Sequence, residues 1–140
     1  MASKSDTEVG LTYSGKPRTH GLRFSVLDGC VLVAAFVLTM STWSMTFGLS
    51  ALILFVVLHF FLFCNVFRIR RKPELIWAAT FVANCLAWIL TGNISTLGIT
   101  VAQAVITTVI LLHEIRLPYY HGIYAETINP RLGDYMSGRL

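Results

Sequence analysis

The chain has 140 residues, 55% of them hydrophobic and 13% charged, with a formal net charge of +4. Soluble domains carry about 25% charged residues, so this balance points to lipid as the solvent and, at this length, to one domain at most. The positive excess does not argue for nucleic acid, because the basic residues flank apolar runs and form no face of their own. Beside a membrane segment such charge sets topology and meets anionic headgroups.

Residues 1–24 read as a polar N-terminal arm. Gly10, Gly15, Pro17 and Gly21 are scattered through it, which suits an extended segment on a surface or a partner. No signal peptide is expected, since the apolar run begins only near Phe24, after Asp6 and Glu8 and without a small-residue cleavage site.

A transmembrane domain is expected over 25–117, with spans at about 26–42, 47–67, 74–91 and 97–116. The first opens on a capping box, Ser25 with Asp28 three residues later. Met40 to Thr46 makes an uncharged turn. The second span ends in Phe67-Arg-Ile-Arg-Arg-Lys-Pro-Glu74, four basic residues between two apolar runs, the pattern of a loop held on the cytoplasmic side. Pro73 is expected at the first position of the third helix, with Glu74 in its first turn. Gly92 to Leu97 forms the next turn, in which Ser95 or Thr96 can cap the fourth helix. Asn93-Ile-Ser matches a glycosylation sequon too near the membrane for ready use. Pro118 disfavours helix before it and opens an amphipathic tail over 118–140, whose tyrosines suit the headgroup level.

All 11 Lys and Arg residues fall before the first span, in the 68–72 cluster, or from Arg116 onward. The expected fold is therefore an all-α membrane protein: a four-helix transmembrane bundle with both termini and the central loop cytoplasmic. A bacterial inner membrane is the expected location, or an organelle inner membrane. Trp43 and Trp88 are placed near the outer interface and Trp77 near the inner one.

Polar residues inside spans bear most on function, because they usually face the bundle or a cavity. Thr96, Thr100, Gln103, Thr107 and Glu114 make a stripe on the fourth helix, and Thr80, Asn84 and Thr91 one on the third. Counting from the turn between them predicts a hydrogen bond from Asn84 to Gln103, worth about 0.6–2 kcal/mol; the alternative is a polar lining for transport. His59 lies about 12 Å in from the end of the second helix and His113 roughly 9 Å nearer the cytoplasm. The two histidines are candidate haem b ligands, although their depths disagree; otherwise no cofactor and no metal is expected. At the inner face Asn65, Arg68, Arg70, Arg71, Lys72, Glu74, His113, Glu114, Arg116 and His121 are expected in one layer, anchoring the protein to lipid or docking a partner. Cys30, Cys64 and Cys85 are isolated in apolar runs and read as small apolar residues.

No enzyme motif is present: there is no G-x-S-x-G, phosphate-binding glycine loop or H-E-x-x-H. Inverted repeats with broken helices are also missing. The reading is a small accessory or structural subunit packing against larger membrane-protein partners or against copies of itself. A small oligomeric transporter or channel is the first alternative and a haem-binding subunit the second.

Overall fold

A computed structural model describes residues 17–140, so the expectations for residues 1–16 of the polar arm lie outside the described residues. What is described is all-helical, without strands. In chain order come α1 (Val26–Thr42), α2 (Ala51–Phe61), a π-helical turn (Leu62–Val66), α3 (Arg71–Leu90), α4 (Thr96–Glu114), α5 (Ala125–Ile128) and α6 (Leu132–Met136).

α1 begins where the capping box places it. The Asp28 amide donates to Ser25 Oγ, and the Ser25 amide and hydroxyl donate back to the Asp28 carboxylate. The uncharged turn that follows is longer than Met40 to Thr46. It ends in tight hydrogen-bonded turns through Ser50, with Phe47 and Gly48 both at positive φ, so regular helix resumes only at Ala51. α2 is thus shorter than the 47–67 run of apolar residues suggests. At its far end the ladder widens into the π turn, where the Phe67 amide donates to the Leu62 carbonyl.

α3 starts two residues before Pro73, which therefore occupies the third helical position and not the first. Proline is still tolerated there, because the first-turn amides have no intrahelical acceptor. Ser95 caps α4 by accepting from the Gly98 amide. Gly98 is needed for packing as well: a Cβ there would sit 2.2 Å from the Trp88 indole, which lies across the start of α4.

α1 pairs with α2, α3 pairs with α4, and α2 joins the two pairs by packing against α4. The α1–α2 pair is locked by two reciprocal hydrogen bonds between buried groups. Thr39 Oγ1 donates to the Ser50 carbonyl (3.2 Å) and Ser50 Oγ to the Thr39 carbonyl (3.1 Å). α3 and α4 are each long and apolar enough to cross a membrane, whereas α1 and α2 are shorter apolar helices.

Polar side chains are as frequent as apolar ones among the buried residues, and many large aliphatic side chains are exposed. Gln103, Thr107, Glu114, Thr39 and Ser50 are buried, while Val26, Leu75, Leu90, Leu97 and Val105 are exposed. The purely apolar core is small, and Phe63, Trp77 and Ile99 are its best-buried members.

The tail packs on the chain itself. Residues 17–24 and 118–140 close over the α2–α3 connection: the Gly21 amide donates to the His121 carbonyl, the Arg23 amide to Asn65 and the Ile123 amide to Val66. Asn129 holds the tail's own curve, donating to the carbonyls of Pro118 (2.8 Å) and Tyr120 (2.7 Å). Of the tail tyrosines, Tyr119 and Tyr124 stay exposed, while Tyr120 is buried with its hydroxyl donating to the Ile123 carbonyl.

Candidate functional site: the basic end of the α3–α4 pair

Chemistry-bearing side chains concentrate where α2, α3 and α4 meet, and along α3 and α4 toward the end that carries the Arg68–Lys72 cluster. Trp77 is the hub. Its ring stacks on His59 (centroids 4.8 Å apart, 17° between planes) and on Phe81 (5.5 Å, 4°), and it meets Phe63 edge-on. Trp77 is 1% exposed, and its indole N–H donates to Thr107 Oγ1 of α4 at 2.8 Å. A buried indole normally finds such an acceptor.

The hydrogen bond expected from Asn84 to Gln103 is not formed. Asn84 Nδ2 donates to the Ile99 carbonyl (3.0 Å), whereas Gln103 Nε2 donates to the Trp77 carbonyl (2.9 Å) and to Thr80 Oγ1 (3.1 Å). Both amides bridge α3 and α4, but one turn out of step with each other, about 5.4 Å along the axis. Thr107 Oγ1 in turn donates to the main-chain carbonyl of Gln103 (2.9 Å). Gln103 Oε1 is buried and has no partner among the described residues. Thr100 and Thr91 bond within their own helices, so of the α4 stripe Gln103, Thr107 and Glu114 are the members that are buried.

At the basic end Arg70 reaches Glu114 with two donors, Nε to Oε2 (3.2 Å) and Nη2 to Oε1 (2.9 Å). Glu114 is 4% exposed and Arg70 about half-exposed. The paired carboxylate holds the Arg70 guanidinium above its ordinary value. His113 Nδ1 stands 3.5 Å from the same carboxylate. Glu74 has no arginine partner among the described residues and instead accepts from the Cys64 thiol (3.5 Å). Beside the Arg70–Glu114 pair an open groove of about 590 Å³ runs between α3 and α4. Arg71, Lys72 and His113 line its mouth, and Ile76, Val109 and Ile110 its apolar length.

The remaining cations behave differently. Arg68, at positive φ, donates through Nη1 to the Thr19 carbonyl (2.8 Å) and hydroxyl, so it fastens the arm to the loop. Arg116 is exposed at the end of α4. Arg18, which sequence reasoning did not single out, donates to the Tyr135 carbonyl (2.7 Å) and lies over the Tyr135 ring. His121 stacks on the same ring, 4.5 Å between centroids, and burial holds its imidazole below the ordinary value.

Among the described residues His59 and His113 have no hydrogen-bond or ring-stacking partner in common. His59 Nδ1 is engaged by the Phe55 carbonyl at 2.8 Å, one ring face is covered by Trp77, and Nε2 is its remaining ring nitrogen. No group of three His, Cys, Asp or Glu side chains able to hold a metal ion occurs among the described residues.

No protein-family model, curated protein or solved structure matches this chain.

Proposed function

We propose that the chain is an integral membrane protein in which α1, α2 with its π turn, α3 and α4 cross the bilayer as a four-helix transmembrane unit. In this reading both ends and the 67–74 connection face the cytoplasm, and a bacterial inner membrane is the setting. Its role is that of a small non-enzymatic subunit packed against larger membrane-protein partners. The burial pattern carries the reading: carboxamide, hydroxyl and carboxylate groups inside, leucine, valine and isoleucine outside. In water that arrangement exposes the hydrophobic surface that drives folding; in lipid it is the ordinary one.

The subunit role is supported by two further features. Nearly every polar side chain inside the helices is already bonded within the chain, as glue. Along α1, Ala35 and Thr39 are the residues fully buried, while Val33, Phe36, Val37 and Met40 are exposed. Carbonate extraction tests membrane integration, and gentle detergent extraction followed by native electrophoresis tests the role. Co-migration with a larger complex is the expected result; a lone, monodisperse monomer overturns the subunit reading.

One observation favours transport as the second reading, the unpartnered Gln103 Oε1 in the bundle interior. That reading requires Gln103→Leu to abolish flux in liposomes while the protein still folds. For a haem ligated through His59 Nε2, a colourless preparation from haem-replete cells, lacking a Soret band, is the disproof.

A further inference from the structure

We infer that the groove between α3 and α4 is a binding site for one anionic phospholipid, its phosphate at Arg71, Lys72 and His113 and an acyl chain along Ile76, Val109 and Ile110. The inference rests on the membrane reading above and adds a ligand to it.

Three observations fit together. The first is shape: at about 590 Å³ the groove is of the size that holds small molecules, about 300–1,000 Å³, and it opens along the outer surface of the helix pair, where lipid would lie. The second is its division into two chemistries. α3 and α4 are antiparallel, so the first turn of one and the last turn of the other put their polar residues at the same end, with aliphatic side chains along the remainder. A phosphate with an attached chain has that same division.

The third is charge. Glu114 is the one acid in the lining, and Arg70 already neutralises it through two hydrogen bonds. That leaves Arg71 and Lys72, both exposed and neither with a carboxylate partner among the described residues, as net positive charge at the mouth. A phosphodiester brings one negative charge to this excess, whereas a zwitterionic headgroup brings its own cation. Basic pockets between membrane helices on the cytoplasmic side select anionic headgroups for this reason.

The test uses the whole chain, after carbonate extraction has established integration, in phosphatidylcholine vesicles. Spin-labelled phosphatidylglycerol and spin-labelled phosphatidylcholine report the motionally restricted lipid. Expected is a preference for phosphatidylglycerol that falls about tenfold or more in the Arg71→Gln/Lys72→Gln variant, from the loss of two headgroup-level cations. Arg116→Gln, which removes a cation outside the groove, should leave the preference in place. Val109→Trp, which fills the apolar part with all charges intact, should lower it as the double variant does.

Equal retention of the two lipids by the wild type overturns the site. So does an equal loss in Arg116→Gln, which would mean diffuse surface attraction. Displacement of the labelled lipid by excess glycerol phosphate would assign the mouth to free phosphate and remove the acyl chain from the groove. Release of the protein by carbonate overturns the membrane reading and the site together. Integration without lipid preference overturns the site alone.

Discussion

Gly122 has no positive φ to explain it, yet a Cβ there would lie 2.3 Å from the Phe67 carbonyl oxygen. The neighbour is backbone and cannot rotate away, so Gly122→Ala should separate the tail from the α2–α3 connection. Limited proteolysis of the tail reads this directly, as faster cleavage between residues 118 and 140. Gly133 in α6 has nothing within 4 Å of its Cβ position; Gly133→Ala, with less chain entropy to lose, should leave cleavage unchanged or slower. The Arg70–Glu114 pair gives a second expectation. Arg70→Gln leaves a buried carboxylate without its cation, and stability should fall by about 1–3 kcal/mol, less than for a fully buried pair because Arg70 is half-exposed. Adding Glu114→Gln should recover part of that loss, and thermal unfolding of the singles and the double in one detergent measures the coupling. At this scale the sequence was legible in kind but not in pairing. Sequence puts Glu114 and the basic cluster in one layer, and residue numbers alone do not select Arg70 over Arg68 or Arg71 as its partner. The choice comes from backbone: Arg68, at positive φ, points its guanidinium to Thr19.

Among the elements, α1 is held to its neighbour by the Thr39–Ser50 exchange, which sequence reasoning passed over because each residue alone is an ordinary hydroxyl near a helix end. Thr39→Val combined with Ser50→Ala should weaken α1–α2 packing by about 0.6–2 kcal/mol, seen as a lower thermal unfolding midpoint than the wild type in the same detergent. The short α2 was also missed. Phe47 to Ser50 are apolar or small enough to read as helix, and only the positive φ at Phe47 and Gly48 shows that the turn consumes them. The bond expected from Asn84 to Gln103 failed for a related reason: a count from the turn assumes symmetric entry, and Ser95 capping with Trp88 over Gly98 shifts the register. What the sequence does encode well is α1, set by its capping box, and the extent of α3 and α4, set by long apolar runs between Pro73, Gly92 and Pro118. The tail carries a pH dependence of known sign. Burial holds His121 below its ordinary value, so an undocked tail takes up the proton first. Docking is therefore unaffected well above pH about 6.5 and weakens as pH falls below it. Around the ring, Arg18, Arg68 and His20 oppose its charging together with burial, and the Tyr119 carbonyl at Nδ1 offsets part of this without reversing the sign. The protection factors of the Gly21 and Ile123 amides, with the intrinsic pH dependence of exchange divided out, should fall on acidification in the wild type and lose that dependence in His121→Gln.

For the molecule as a whole, the arms have an unexpected arrangement. Composition describes residues 17–24 and 118–140 as polar or amphipathic and gives no indication that they bind each other. The signals were short and conditional: Asn129 before a proline, a glycine at 122, an arginine at 18 with a tyrosine more than a hundred positions away. Together they draw the described chain into a loop closed at its basic end, Arg18 on Tyr135 and Gly21 on His121. That closure has a mechanical side. Force applied between residues 18 and 135 does not reach the helix pairs until the clasp opens, because the load path through the clasp is far shorter than the path through α1 to α4. The clasp acts as a shear pin, with a few hydrogen bonds and one stacked guanidinium in parallel.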